Sequence, residues 1–322
     1  MENAKKLRIT VLDSASIGDD LDFSIFEDLG TLTLYEKTEP YEICERAKSS
    51  DVLILNKVKI NSSVMPSDSP VKLVCIAATG FDNIDIDFCR QNGIGVCNVV
   101  GYSTSSVAEL TVSMAMSINY HLSEYKRHVS SGEYTRAGVP NCLIPRFHTM
   151  SGMTWGIIGY GNIGKKVDEI ARAIGCKVLV YKRHAEEGVQ ITELDTLLAN
   201  SDIVSIHTPL NADSRLMITK EKLALMKKSA ILVNVARGAV CDEEAVADAI
   251  LNGAIGGFAC DVYSKEPFGD DHPFSKIASL DNVILTPHMA WGSVESRETC
   301  IKEIYSNILS FVKGEKRYRV DI

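Results

Sequence analysis

Three side chains with complementary chemistry follow strand-like runs in the second half of this 322-residue chain. Arg237 comes after Ala230 to Val235, Glu266 after Gly257 to Val262, and His288 after Val283 to Leu285. A planar guanidinium can hold a carboxylate through two hydrogen bonds and polarise the carbonyl beside it. Imidazole ionises near the working pH of most enzymes. A carboxylate within reach of that ring fixes its tautomer and favours its protonated form, as in a catalytic triad. Reducing a 2-keto acid asks for this set: a cation for the carboxylate, an acid for the carbonyl oxygen as hydride arrives, and a group that keeps the acid charged. Arg237, Glu266 and His288 are therefore candidate catalytic residues. Each follows a strand, and ligands of open α/β sheets bind at the carboxyl ends of strands.

A hydride carrier has its own signature upstream. The stretch Thr154-Trp-Gly-Ile-Ile-Gly-Tyr-Gly-Asn-Ile-Gly164 is a short apolar strand running into Gly159-x-Gly161-x-x-Gly164 and then a helical pattern over Lys165 to Ile174. Gly159 permits the tight turn, Gly161 lets backbone approach a pyrophosphate, and Gly164 lets the helix pack on the sheet. Phosphates then sit at the helix N-terminus, beside Asn162 and Ile163. NAD-binding sheets commonly place an acidic residue about 20 positions further on, against the ribose 2'-hydroxyl. Here the strand Val178 to Tyr181 ends instead in Lys182-Arg183-His184. Lys182 and Arg183 would attract the 2'-phosphate of NADP(H), so NADP(H) is favoured over NAD(H).

These groups need elements to hold them. Strand-like runs at Leu7 to Leu12, Thr31 to Tyr35, Val52 to Leu55, Leu73 to Ile76 and Ile94 to Val99 alternate with helical stretches such as Glu42 to Lys48 and Ile86 to Gln91. Such alternation predicts a parallel sheet with helices on both faces. The apolar-periodic segment Ser106 to Arg127 reads as one helix, too broad in its apolar face for a surface and suited to packing between domains. A second series follows at Gly156 to Ile158, Val178 to Tyr181, Ile203 to His207, Ala230 to Val235, Gly257 to Val262 and Val283 to Leu285, and Ser293 to Val312 reads as a final helix. The fold class is α/β, with a second, doubly wound dinucleotide sheet after the first.

Composition excludes other classes. At 45% apolar residues the chain is globular rather than disordered. A net charge of -8 with no basic block argues against nucleic acid. No apolar run approaches a membrane span and Met1 to Lys6 does not read as a signal peptide, so a cytoplasmic location is expected. Nine cysteines lie scattered, and Cys75, Cys97 and Cys260 read as small buried hydrophobes, with no metal site. His121, His128, His148, His184 and His272 follow no such strand. His207 reads as a wall of the cofactor pocket.

Over nearly its whole length the chain resembles the D-isomer-specific 2-hydroxyacid dehydrogenases. The resemblance rests on Ala78-Thr-Gly-Phe-Asp-Asn-Ile-Asp85, Ser106-Val-Ala-Glu109, the glycine fingerprint, His207-Thr-Pro-Leu210, Asn234-Val-Ala-Arg-Gly238, Asp261-Val-Tyr-Ser-Lys-Glu-Pro267 and Thr286-Pro-His288. It implies a flavodoxin-like substrate domain at 1–101 plus 290–322, a dinucleotide-binding domain at 102–289, an active site in the cleft between them, and a homodimer. It also implies catalytic roles for Arg237, Glu266 and His288. The turn at Thr79 and Gly80 would receive the substrate carboxylate, as consecutive backbone N–H groups can. Asp261 would stand beside the nicotinamide, with Val235, Ala236 and Arg237 in the same pocket, while Thr208, Pro209 and Ser214 would wall the adenosine and phosphates.

Tyr102-Ser-Thr-Ser-Ser-Val-Ala108 and His288-Met-Ala-Trp291 look like the glycerate dehydrogenase, or hydroxypyruvate reductase, branch. Small keto acids such as hydroxypyruvate and glyoxylate are then the expected substrates, with bulkier 2-keto acids or phosphoglycerate as alternatives. Formate dehydrogenases of similar fold carry Gln where Glu266 stands, which argues against that activity. A dinucleotide-sensing binding protein is the alternative of another class. Such proteins carry disordered interaction tails, and no low-complexity tract occurs here.

Overall fold

The computed structural model describes residues 6–322; Met1–Lys5, part of the stretch read as lacking a signal peptide, lie outside the described residues. The chain divides into two compact units, Met1–Ser103 with Gly292–Ile322, and Thr104–Trp291.

The first unit runs β1 (Leu7–Val11), β2 (Gly30–Leu34), α1 (Ile43–Lys48), β3 (Val52–Leu55), β4 (Leu73–Ile76), α2 (Ile86–Gln91) and β5 (Gly95–Cys97). Its five strands are parallel in the order β2-β1-β3-β4-β5, the flavodoxin-like arrangement. β3 and β4 are buried at every position, which is why they read as continuous apolar runs rather than alternating ones. Asp85 caps α2 by accepting the Phe88 N–H at 2.9 Å. One face of the sheet packs on Ile43, Phe88 and Cys89 of the two helices.

The second unit opens with α3 (Thr104–Asn119), α4 (Leu122–Ser130) and α5 (Glu133–Ala137). The single helix expected over Ser106 to Arg127 is thus two. His121 adopts a left-handed conformation (φ 51°) and breaks the helix where the apolar periodicity ends at Ile118. The buried residues of α3, among them Val107, Val112, Met114 and Ile118, join one core with Trp155, Ile157 and Val233. Burying each such side chain contributes about 1.5–3 kcal/mol, so sheet contact rather than propensity holds α3. α4 has no buried residue.

The sheet then follows as β6 (Thr154–Ile158), α6 (Asn162–Ala173), β7 (Lys177–Tyr181), α7 (Leu194–Asn200), β8 (Ile203–Ile206), α8 (Lys220–Leu223), β9 (Ile231–Asn234), α9 (Glu243–Leu251), β10 (Gly257–Cys260) and β11 (Val283–Leu285). Six parallel strands lie in the order β11-β10-β9-β8-β6-β7, and the order reverses between β6 and β8. Helices cover both faces, with separate cores built on Ile158, Val204 and Phe258 and on Trp155, Ile203 and Ala259. The chain closes with α10 (Val294–Val312), capped by Ser293; its Cys300, Ile304 and Ile308 complete the other face of the first unit's sheet. Seven of the nine cysteines are buried, and none is in a disulfide. Among the described residues no helix is long and apolar enough to cross a membrane, and no group of His, Cys, Asp or Glu has metal-binding geometry.

Candidate active site

The carboxyl edge of the second sheet carries both halves of the chemistry. At the reversal between β6 and β8, Gly159 turns with φ +93°, and a Cβ there would meet the His207 carbonyl carbon and the Thr208 nitrogen at 2.7 Å. A Cβ on Gly164 would reach the Gly159 oxygen at 2.2 Å, so helix and turn touch only because both are glycine. Gly161 faces open space, with nothing within 4 Å of its would-be Cβ. That opening lies at the first turn of α6, where Asn162 and Ile163 begin the helix, and it fits a pyrophosphate drawn to a helix N-terminus. Tyr160 is tied to the same helix, donating to Asp168 at 2.5 Å, while Arg172 holds the other oxygen at 2.6 Å.

Beside the turn is a cavity of about 380 Å³ lined by Gly159, Gly161, Lys182, Arg183, Thr208, Pro209 and Ser214. Ser214 spends its hydroxyl inside the loop, donating to the Pro209 carbonyl at 2.7 Å and accepting the Asn211 N–H at 2.8 Å. The two cations are not bare. Lys182 is paired with Glu186, whose other oxygen meets Lys165 at 2.5 Å, and Arg183 is paired with Asp213. Held by two ammonium groups, Glu186 drops to a pKa of about 2. The sequence reading missed both carboxylates. The four-residue spacing of Lys182 and Glu186 was a usable signal, whereas Asp213 comes from a distant loop.

His207 stands at the end of β8. Its Nε2 lies 2.9 Å from the Ser205 Oγ, which also accepts the Trp155 indole N–H at 2.9 Å. Its Nδ1 is buried and the one buried side-chain nitrogen or oxygen without a partner among the described residues. Burial pushes the ring down to a pKa of about 3.

Adjacent strands β9, β10 and β11 deliver the other three groups. Asn234 shapes the turn after β9, donating to the Arg237 carbonyl at 3.0 Å and accepting the Ala236 N–H at 3.1 Å; Val235 is buried and Ala236 half-buried. Arg237 itself donates to the Ala236 carbonyl at 2.8 Å. Next to it, Gly238 is pressed against the loop after β10: a Cβ would fall 2.1 Å from the Tyr263 carbonyl carbon and 2.2 Å from the Ser264 nitrogen. In that loop Glu266 accepts the Tyr263 N–H at 3.0 Å with one oxygen and meets His288 Nδ1 at 2.6 Å with the other. His288 has a left-handed backbone (φ 52°) and its carbonyl accepts the Trp291 indole N–H at 3.0 Å. A non-glycine residue so placed costs energy, which neighbouring bonds must offset.

Asp261 supplies much of that offset. Its carboxylate accepts Thr286 Oγ1 at 2.7 Å, the Met289 N–H at 2.8 Å and the Ala290 N–H at 2.9 Å, and so clamps both sides of His288. Burial pushes its pKa up, against the pull of those donors. In the first unit, the turn after β4 is braced by Thr79, whose hydroxyl donates to the Val99 carbonyl at 2.8 Å and whose own carbonyl accepts from Asn98 at 2.7 Å; Gly80 follows it.

A glycine turn at the reversal point of a doubly wound sheet, with an imidazole–carboxylate pair further along the same edge, defines a dinucleotide-dependent oxidoreductase. The chain belongs to the D-isomer-specific 2-hydroxyacid dehydrogenases, its residues 112–290 matching the family described as "D-isomer specific 2-hydroxyacid dehydrogenase, NAD binding domain". It is 34% identical over 288 residues to a glycerate dehydrogenase of Methylorubrum extorquens, covering 89% of this chain and 91% of that one. It is 31% identical over 319 residues to a hydroxypyruvate reductase of Blautia hydrogenotrophica, covering 96% and 98%. Among solved structures, an acyclic imino acid reductase (Bsp5) in complex with NADPH and D-Arg superposes with a TM-score of 0.84 at 29% identity, over 97% of this chain and 99% of that one.

Proposed function

We propose that this dehydrogenase reduces small polar 2-keto acids, hydroxypyruvate and glyoxylate best, and uses NADP(H) in preference to NAD(H). The observation that carries the reading is the 2.6 Å contact between His288 Nδ1 and Glu266 at the sheet's carboxyl edge. When bound, the nicotinamide supplies the hydride. Glu266 accepts the Nδ1 proton, so Nε2 is the ring atom assigned to protonate the carbonyl oxygen. Arg237 takes the substrate carboxylate in the second unit, and in the first unit the backbone N–H groups of Thr79 and Gly80 are assigned to substrate binding. On the cofactor side, Gly159, Gly161, Asn162, Ile163 and Gly164 take the pyrophosphate. Thr208, Pro209 and Ser214 wall the adenosine, and Val235, Ala236 and Asp261 stand by the nicotinamide. Lys182 and Arg183 meet the 2'-phosphate. Residues 1–101 with 290–322 serve as the substrate domain and 102–289 as the dinucleotide domain.

Relatives named for glycerate and hydroxypyruvate support the substrate class. Lys182 and Arg183 beside the adenosine cavity support the cofactor, while structural neighbours hold NADPH in one case and NAD in another. A matrix of NADH and NADPH against hydroxypyruvate, glyoxylate, branched 2-keto acids and a phosphorylated 2-keto acid tests both. The highest kcat/KM on a bulky or phosphorylated acid would overturn the substrate, and equal efficiency with NADH the cofactor.

A homodimer accords with exposed apolar side chains along 129–147, where Val139, Leu143 and Ile144 are 53%, 71% and 77% exposed. Sedimentation equilibrium showing a monomer at micromolar concentration would refute it. Cytoplasmic residence accords with nine unpaired thiols; recovery of the native protein from another compartment would refute that.

A further inference from the structure

Glu243 and His272 were assigned nothing by their place in the sequence, yet both lie directly behind the loop that carries Glu266. Glu243 opens α9 and is almost fully enclosed, its side chain 10% exposed beside a His272 side chain 7% exposed. One of its oxygens accepts the Ser264 N–H at 2.8 Å; the other receives the Ser264 hydroxyl and lies 3.1 Å from His272 Nε2. His272 Nδ1 accepts the Phe274 N–H at 3.2 Å, which places the ring proton on Nε2, pointing at Glu243. Three donors thus converge on one buried carboxylate, and two of them belong to the residue two positions before Glu266. The next bond along the chain is Tyr263 N–H to Glu266, and the one after that is Glu266 to His288. The ring of His272 is also wedged among Tyr263, Phe268 and Phe274, at centroid distances of 6.0, 4.8 and 5.0 Å.

We propose that Glu243 and His272 are positioning residues for the reaction, a buried brace that fixes residues 263–266 so that the Glu266 carboxylate stays on His288. The inference rests on the assignment of Glu266 as the partner of His288. A carboxylate helps an imidazole keep its proton only over a short range and in good alignment, so a loop free to drift weakens that help without removing any reacting group. Of the other ionisable groups near His288, Asp261 is held independently of the brace, whereas Tyr263 lies within it and Arg237 adjoins it through Gly238. Asp261 is clamped by Thr286, Met289 and Ala290, the Tyr263 phenol donates to the Thr286 carbonyl at 2.7 Å, and Arg237 sits on the separate loop after β9. Facing Glu243 from below, Cys241 and Cys260 are thiols whose ionisation burial strongly disfavours.

The test uses the intact enzyme with His272→Asn, Glu243→Gln and Ser264→Ala, alongside Glu266→Gln. Asn keeps an acceptor for the Phe274 N–H but is too short to reach Glu243, so it cuts the brace and spares the cap. The expected result for His272→Asn and Glu243→Gln is an alkaline limb of kcat/KM for keto-acid reduction moved to lower pH by about half a unit or more. kcat should fall several-fold at pH 8, with KM for the nicotinamide cofactor unchanged. Ser264→Ala, which removes one hydroxyl and nothing else, should shift the limb in the same direction by less. In the double variant Glu243→Gln/Glu266→Gln the limb should lie where Glu266→Gln alone puts it, because the brace acts only through Glu266. Lower Tm with an unmoved limb in all three brace variants would mean a purely structural network and overturn the proposal. An unmoved limb in Glu266→Gln as well would instead overturn the pairing on which it rests.

Discussion

Arg237 and His288 ask for different failures when altered, and that difference makes their roles testable. Arg237→Lys keeps the charge and loses the fork. Loss of one charge-assisted hydrogen bond costs roughly 1.5–3 kcal/mol, so kcat/KM for the keto acid should fall about ten- to a hundredfold. Cofactor affinity by fluorescence titration should barely change, and a collapse of cofactor binding with normal keto-acid kinetics would show the assignment to be wrong. Glu266→Gln keeps the shape of the partner and removes its charge. The protonated imidazole then loses its support, so reductase activity should disappear at lower pH than in the wild type while some activity persists in acid. His288→Ala should lower the rate at every pH. An alkaline limb that does not move in Glu266→Gln would dissolve the pair. At this scale the sequence was readable because each of these residues follows a strand of one sheet. His272 was not, since its partner Glu243 lies 29 positions away and no local pattern announces the contact.

At the scale of elements, β3 and β4 were legible to the residue, because strands buried on both faces read as unbroken apolar runs; β11 matched as well, although it is an edge strand with only Val283 buried. The break after α3 was not, because the end of the apolar periodicity at Ile118 does not by itself reveal the left-handed backbone of His121. The loop after β7 shows the same limit in electrostatic form. Sequence placed cations there, and the fold adds Glu186 and Asp213 to the same cluster. A 2'-phosphate must therefore compete with two carboxylates for Lys182 and Arg183. Arg183→Ala removes one ligand and leaves Asp213 without that cation, which turns the loop toward a ribose hydroxyl. The proposed preference for NADPH over NADH should shrink by about tenfold, a modest effect because both side chains of the pair are mostly exposed. Parallel kcat/KM measurements with the two cofactors decide it, and an unchanged ratio would remove Arg183 from the cofactor site.

For the molecule as a whole, one half-buried ring with an enclosed Nδ1 ties stability to acidity. His207 is shifted from 6.5 to about 3 by burial alone. As pH falls below about 6.5 the unfolded chain takes up a proton at this position and the folded one does not, so His207 costs stability across the window from about 6.5 down to about 3. The slope from this one group approaches about 1.4 kcal/mol per pH unit. His207→Gln, which has no such proton to refuse, should lose less stability than the wild type between pH 7 and pH 5 in urea unfolding; equal losses would mean the ring is charged or solvated in the fold. The sulfur atoms are disposed with similar consequence. Burial pushes Cys89 and Cys97 to about 11 and Cys300 to about 12, and Cys75 and Cys260 well above the ordinary thiol range, so almost no thiolate forms at these positions at neutral pH. The thiols that reagents in solution can reach are the half-exposed Cys44 and Cys142, neither of which belongs to the glycine turn or to the imidazole–carboxylate pair. Oxidative injury to this dehydrogenase thus begins at its periphery, and sulfenic acid can form there while the groups that handle hydride and proton remain chemically intact.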